Sequence, residues 1–201
     1  MKISSINRLL LFATCFLAAY QIAIGIDQMD NVPIIAYTIA FGVIMVAVLL
    51  LVILGFEVLD APIVVIISTI IPLSLATGLV WQHFASLRTS YLIFAIVGFL
   101  AVTITRSISM QNKLPVLVIA VVHGISGLTI FLLPIILAAQ GQVKPLFALV
   151  GLGGAFIGMG GLLLSFLKTG KPILSRDAIM RLFPGLLLLT TALFVAGFLF
   201  M

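Results

Sequence analysis

The sequence predicts an all-α polytopic membrane protein, folded as one bundle of seven transmembrane helices. Hydrophobic residues make up 64% of the 201 residues. Charged residues make up only 7%, whereas soluble domains carry about 25%. The apolar runs are continuous rather than alternating, which favours helices over a membrane β-barrel, because barrel strands alternate between lipid-facing and interior residues.

Seven apolar runs are each long enough to cross a hydrocarbon core of about 30 Å. The first follows a charged start like that of a signal peptide, but no small-residue cleavage motif follows it, so we expect it to be retained. The fourth is the shortest, since Arg88 and Arg106 bound it. The predicted spans, which make up a single integral membrane domain, are residues 9–26, 33–56, 61–81, 89–105, 114–138, 145–167 and 179–201.

Prolines mark the starts of several spans, as expected where proline is tolerated in the first helical turn. Pro62, Pro115 and Pro172 open the third, fifth and seventh spans, and Pro33 and Pro145 open the second and sixth. One interpretation is a repeat, with one leading helix followed by three helical hairpins. The alternative is that proline occurs wherever a helix begins.

Consecutive helices cross the membrane in opposite directions, so their connections alternate between its two sides. The positive charges are unequally divided between these sides. Arg88 and Lys144 fall on one side. Eight fall on the other, namely Lys2, Arg8, Arg106, Lys113, Lys168, Lys171, Arg176 and Arg181. The positive-inside rule therefore predicts a cytoplasmic amino terminus and an outside carboxyl terminus, and we expect a prokaryotic cytoplasmic membrane.

Two further sequence features agree with this placement. Tyr37, Trp81 and Tyr91 lie near the predicted outer helix ends, as an interfacial aromatic belt would. The net charge of +5 is spread along the chain, so it indicates topology rather than nucleic-acid binding. The lipid bilayer is thus the first predicted partner.

His123 is the main candidate functional residue. It lies nine residues into the fifth span, about 14 Å along a helix that rises about 1.5 Å per residue. An ionisable group at that depth needs a polar partner. Ser126, Thr129 or a backbone carbonyl could supply one, or the imidazole could be the axial ligand of a chlorophyll-type pigment or haem.

His83, at the outer end of the third span, is a weaker candidate for the same role. The two histidines should differ in depth by about 15 Å at helical rise, so they are not expected to clamp one haem. A wet interfacial position is the simpler interpretation for His83. No group of cysteines and histidines predicts a metal site, and Cys15 is a lone thiol in an apolar run.

Two spans carry stripes of small residues, which let helix backbones approach closely in lipid. The predicted helix-packing positions are Gly124 and Gly127 in the fifth span and Gly151, Gly154, Gly158 and Gly161 in the sixth. We expect the sixth helix to pack closely against other helices on two of its sides, near the centre of the bundle. A hinge is the alternative, since glycine lowers helix propensity.

Glu57 and Asp60 follow the second span on the basic side. They predict a surface salt-bridge cluster, with a cation or proton entry point as the alternative. The sequence holds no Ser/His/Asp set, and the seventh span has no lysine for a retinal Schiff base. An enzyme is therefore the least favoured class.

Two function classes remain. The first is a non-catalytic integral subunit that packs against other integral subunits, or copies of itself, and includes pigment or haem binding through His123. The second is a small transporter or channel with a polar path. The path would be lined by Ser68, Thr69, Ser74, Thr77, His123, Ser126 and Thr129. The scarcity of intramembrane charge favours the subunit.

Overall fold

A computed structural model of the chain describes residues 3–26, 30–108 and 112–201. This part of the chain is all helical, without strands, and has seven helices long and apolar enough to cross a membrane, which indicates an integral membrane protein. The helices are α1 (Ser5–Ile24), α2 (Asn31–Leu54), α3 (Pro62–His83), α4 (Arg88–Ser107), α5 (Leu114–Ala139), α6 (Ala148–Lys168) and α7 (Arg176–Phe198). Lys2, one of the predicted cytoplasmic charges, lies outside the described residues.

Caps set helix ends that differ slightly from the predicted bounds. The hydroxyls of Ser4 and Ser175 each accept a hydrogen bond of 3.2 Å from a backbone N–H of the first turn, so α1 and α7 begin earlier than predicted. Gly25 and Gly55 end α1 and α2 in the left-handed region, with φ of 65° and 81°. Pro172 lies in the loop before Ser175 and does not open α7.

Short 3₁₀ turns connect three of the helix pairs. They are Phe56–Asp60 between α2 and α3, Ala85–Leu87 between α3 and α4, and Pro145–Phe147 between α5 and α6. Such turns leave little chain between helices. The consecutive helices α2 and α3 pack extensively against each other, and so do α6 and α7.

Six helices form a closed ring in the order α1, α2, α3, α5, α6 and α7. The remaining helix, α4, packs outside the ring against α3 and α5 and is the least buried of the seven. In the pairs α2–α3 and α6–α7 both helices belong to the ring, whereas in the pair α4–α5 only α5 does. The middle of α4 packs on α5 in this position, since a Cβ at Gly98 would lie 3.1 Å from the side chain of Val122.

Contacts between connections identify the two ends of the bundle. At one end, Arg176 at the start of α7 lies 2.9 Å from Asp60 in the α2–α3 connection. Lys168 at the end of α6 donates a 2.8 Å hydrogen bond to a carbonyl of the same connection. We call this the basic end, and at the opposite end Arg88 lies 3.6 Å from Asp30.

Aromatic side chains fill the ring toward the opposite end. Phe41, Phe147, Phe194 and Phe198 belong to one buried cluster with residues of α1, α2, α3, α5 and α6. The ring of Phe198 packs on Tyr37 with a centroid distance of 4.6 Å. A second cluster, which includes Leu11, Val48, Phe56 and Met180, packs α1, α2 and α7 together near the basic end.

Candidate functional site

His123 lies on α5 in the half nearer the basic end and is partly buried. Its Nδ1 atom is buried without a well-formed hydrogen bond, although the carbonyl of Ile119 lies near the ring one turn earlier. The hydroxyl of Ser126 instead pairs with that of Tyr91 on α4, at 3.4 Å. Thr129 donates to a carbonyl of its own helix at 2.8 Å. Ser126 and Thr129 thus form their described hydrogen bonds with groups other than His123.

Arg106 lies in the last turn of α4, at the basic end. Its Nε atom is buried and has no hydrogen-bond partner. Among the described residues, Arg106 forms no ion pair. The sequence placed Arg106 just after the fourth span, and the structure includes it in the last turn of α4.

The carboxylate of Asp60 is already engaged at the basic end. It accepts a 2.9 Å hydrogen bond from Arg176, which is a surface salt bridge of the kind predicted for this turn. Lys168 contacts the same turn, since its ammonium group donates to the carbonyl of Leu59 at 2.8 Å. Lys168 and Arg176 are therefore both fastened to the α2–α3 connection.

His83 is the last residue of α3 and lies at the opposite end of the bundle. Its Nε2 atom is buried without a hydrogen-bond partner. Its ring packs against that of Phe147 with a centroid distance of 5.7 Å. The structure therefore does not bring His83 and His123 together, and each must be considered as a separate candidate.

Four of the six hydroxyls predicted to line a polar path, including that of Thr129, bond to the backbone of their own helices. Thr69 and Thr77 each donate to the carbonyl four residues earlier at 2.7 Å, and Ser68 donates to that of Val65 at 3.1 Å. This geometry is typical of hydroxyl side chains in apolar helices. It satisfies these groups without water, so the helix backbone alone explains them.

The glycine stripe of α6 divides into two halves. A Cβ atom at Gly151 would lie 2.5 Å from the carbonyl oxygen of Phe131 on α5, and one at Gly154 would lie 3.1 Å from the Phe131 nitrogen. These two glycines therefore permit the contact between α5 and α6. A Cβ at Gly158 or Gly161 would meet no atom of the described residues within 4 Å.

The neighbouring glycines of α5 are open in the same way. A Cβ at Gly124 or Gly127 would also have nothing within 4 Å in the part of the chain that the structure describes. We call Gly124, Gly127, Gly158 and Gly161 the open glycine face. On the other side of α6, a Cβ at Gly153 would lie 2.7 Å from the ring of Phe194 on α7. Among the described residues, the predicted close packing on two sides of α6, against α5 and against α7, is thus found only in its first half.

Comparison with known proteins gives no family assignment. No family model, curated protein or solved structure matches the chain. Among the described residues, no group of three His, Cys, Asp or Glu side chains is placed to hold a metal ion. The function must therefore be argued from the geometry of the bundle.

Proposed function

We propose that the chain is a non-catalytic integral membrane subunit that packs against a transmembrane helix of a partner through the open glycine face. The observation that carries this proposal is the contrast between the two halves of the α6 stripe. The first half is explained by contacts within the chain, whereas a Cβ at Gly158 or Gly161 would meet nothing within 4 Å among the described residues. The partner is a different integral subunit or a second copy of the chain.

The energetic argument concerns the cost of glycine in a helix. Each glycine in a helix interior is about 1 kcal/mol less favourable than alanine. At Gly151 and Gly154, the close approach of α5 offsets that cost. The open glycine face carries the same cost four times, although a Cβ at each of its positions would meet open space in the described part of the chain. A partner helix explains this composition, because small residues at spacings of three and four allow close helix packing in lipid.

Lipid alone explains these glycines less well than a helix does. Acyl chains are flexible and adapt to a surface of alanine or leucine as readily as to one of glycine. Most other lipid-facing positions of α5 and α6 carry large apolar residues, including Leu128, Leu132, Leu152 and Leu162. A face without side chains, in the middle of such a surface, favours a rigid occupant.

The second function class is a transporter, which the packing inside the ring of helices favours less than it favours a subunit. Phe41, Phe147, Phe194 and Phe198 meet inside the ring at the opposite end. A substrate path along the ring would have to displace these aromatic side chains. The hydroxyls of Thr69 and Thr77 are bonded to their own helix and offer a substrate little free hydrogen-bonding capacity.

We further propose that the basic end faces the cytoplasm, with the amino terminus inside and the carboxyl terminus outside, in a prokaryotic cytoplasmic membrane. The support is the charge count, because two basic residues, Arg88 and Lys144, belong to the opposite end and eight to the basic side. The plan of one leading helix followed by three hairpins remains a prediction, which the extensive α2–α3 and α6–α7 contacts support.

The orientation predicts which exposed loops react with an impermeant thiol reagent. In a Cys15→Ser chain, Gln142→Cys should be labelled on intact cells by a membrane-impermeant maleimide. Thr169→Cys, an equally exposed position at the basic end, should be labelled only after the membrane is permeabilised. Labelling of Thr169→Cys on intact cells, with Gln142→Cys protected, would reverse the proposed orientation.

The partner is tested by adding side chains to the open glycine face. In mild detergent, the wild-type chain should co-purify with an integral partner. The Gly158→Leu/Gly161→Leu variant should retain at least tenfold less of it, because two leucines block the approach of a helix. Gly42→Leu is the matched control, since Gly42 on α2 also has open space at its Cβ and its substitution should leave the partner bound.

A cross-link identifies the partner in the same preparation. Gly161→Cys in a Cys15→Ser chain should form a disulfide-linked dimer if the partner is a second copy, or a cross-linker adduct of another mass if it is a different subunit. Equal co-purification of the double leucine variant and the Gly42→Leu control would refute the proposal. Pigment or haem binding by His123 stays a prediction, whose readout is visible absorbance that a His123→Ala variant loses.

A further inference from the structure

A cleft between α1 and α2 is the strongest unexplained feature outside the open glycine face. It lies toward the opposite end of the bundle, because the end of α1 and the first half of α2 form its walls. The space between the protein atoms is about 220 Å³, including the part that is open to the surroundings. The described residues that line it are Gln21, Ile22, Gly25, Ile26, Ile34, Tyr37, Thr38 and Phe41. These residues carry no charge near neutral pH, so the cleft suits an uncharged occupant.

Gln21 is the buried amide in the wall of this cleft, and it is only 3% exposed. Its Nε2 atom donates a 3.1 Å hydrogen bond to the carbonyl of Gly25. This bond fixes the orientation of the amide, because the reverse orientation would bring two oxygen atoms together. The Oε1 atom is buried and accepts no hydrogen bond from the described residues. Since a buried acceptor without a donor destabilises the fold, a donor from outside the chain would stabilise it.

The other polar side chains of the wall do not supply that donor. The hydroxyl of Tyr37 donates to the Oε1 atom of Gln82 on α3 at 3.3 Å. Tyr37 is also held in place, because its ring packs on that of Phe198 with a centroid distance of 4.6 Å. Thr38 is exposed, as is Ile34 one turn earlier on α2, so both lie at the rim. The cleft thus combines an exposed rim, apolar walls and one buried amide with an unbonded oxygen.

We propose that this cleft binds a neutral hydroxyl group, whose O–H donates to the Oε1 atom of Gln21. A hydroxyl is small, and it donates one hydrogen bond without bringing a charge into the apolar walls. The hydroxyl belongs to a water molecule or to a lipid alcohol such as a diacylglycerol. This site does not depend on the proposed partner, because the open glycine face lies on α5 and α6.

Each of the two sources has a physical basis in the cleft. Buried waters in proteins bind polar groups that the protein itself leaves unbonded. The carbonyl of Gly25 has a second lone pair beside the Gln21 amide, so a water molecule could donate to both oxygens. A diacylglycerol would instead place its one hydroxyl at Gln21 and extend its acyl chains past Ile34 into the bilayer.

The first arm of the test measures lipid binding to the purified full chain in detergent by native mass spectrometry. Dioleoylglycerol is compared with its methyl ether, which has the same acyl chains but no O–H to donate. If the hydroxyl belongs to a lipid, dioleoylglycerol should bind saturably and at least tenfold more tightly than the ether.

The second arm detects water in bilayers that contain no diacylglycerol. Solid-state NMR follows magnetisation transfer from water to side-chain amides in a chain labelled with nitrogen-15 glutamine. The amide signal that is lost in a Gln21→Met variant belongs to Gln21. If the hydroxyl belongs to a water molecule, this signal should receive magnetisation from water although Gln21 is buried.

Substitutions decide whether a bound lipid uses Gln21. Gln21→Met keeps the length of the side chain and removes the acceptor, so it should reduce the preference for dioleoylglycerol over the ether to less than twofold. The matched control is Gln140→Met, which changes an exposed glutamine at the same end of the bundle and should leave the preference unchanged. If Gln21→Met does not fold, Thr38→Phe fills the rim instead and should weaken dioleoylglycerol binding at least threefold.

Two results would overturn the proposal. One is a wild-type chain that shows neither a preference for dioleoylglycerol over the ether nor magnetisation transfer from water to Gln21. The other is a preference for dioleoylglycerol that Gln21→Met and Gln140→Met both retain, with no water signal at Gln21, since the lipid would then bind elsewhere.

Discussion

Truncation of Phe147 to alanine should lower the free energy of unfolding by about 3 kcal/mol. Phe147 lies in the turn between α5 and α6 and is 0% exposed. Its ring contacts those of His83 and Phe198, with centroid distances of 5.7 Å and 6.2 Å. Loss of the phenyl ring would leave a cavity between the end of α3, the α5–α6 connection and the end of α7.

The physical origin of this loss differs from that in a soluble protein. Lipid is as apolar as the core, so moving a phenylalanine between them gains little from the hydrophobic effect. What remains is the loss of dispersion contacts and the cavity left by incomplete relaxation. The expected value therefore lies at the low end of the about 3–5 kcal/mol seen for such truncations in soluble cores.

The measurement is equilibrium unfolding of the purified chain in mixed micelles with increasing sodium dodecyl sulfate. Phe16→Ala is the matched control, because Phe16 on α1 is 71% exposed to the surroundings of the bundle. Its truncation should cost less than about 0.5 kcal/mol. Equal losses of unfolding free energy for Phe147→Ala and Phe16→Ala would mean that the buried aromatic cluster does not stabilise the ring of helices.

The seven helices were predictable because lipid imposes a simple rule. A spanning segment must be apolar and must satisfy its own backbone hydrogen bonds, so hydropathy alone locates it. The ends are less predictable, although Ser4 and Ser175 are readable as caps. α4 includes both Arg88 and Arg106, since long side chains reach polar surroundings while their backbone stays helical.

The surroundings of His123 were not predictable from the sequence. Local spacing suggested Ser126 as its partner, but Ser126 pairs with Tyr91 on α4. The pairing of Ser126 with Tyr91 depends on α4 lying outside the ring beside α5. Lipid-facing and helix-facing apolar residues look alike in a sequence, so no pattern reveals which helices will be neighbours.

The glycine stripe shows the same limit in a different form. The glycines of α6 recur at spacings of three and four residues, at Gly151, Gly154, Gly158 and Gly161. The sequence therefore predicts one continuous packing surface. Only the distance between α5 and α6 separates the packed half from the open half. That distance depends on the whole ring, and the spacing of glycines in one helix does not encode it.

Alanine substitutions in the two halves of this stripe should change stability in opposite directions. Gly151→Ala should lower the free energy of unfolding by about 1–3 kcal/mol. Its Cβ would lie 2.5 Å from the carbonyl oxygen of Phe131, and a backbone atom cannot rotate away as a side chain can. Gly158→Ala should raise the free energy of unfolding by up to about 1 kcal/mol, because alanine favours the helix and meets open space.

The same micelle unfolding experiment measures both variants, and Gly42→Ala serves as the control. Gly42 is also open at its Cβ, so its alanine variant should resemble Gly158→Ala in stability. The two must then differ in the complex, since Gly158→Ala adds a methyl group to the face that the partner covers and Gly42→Ala does not. A Gly158→Ala chain that is destabilised as much as Gly151→Ala would show that the second half of α6 packs within the chain. A more stable chain that holds its partner less well would identify Gly158 as a glycine retained for association.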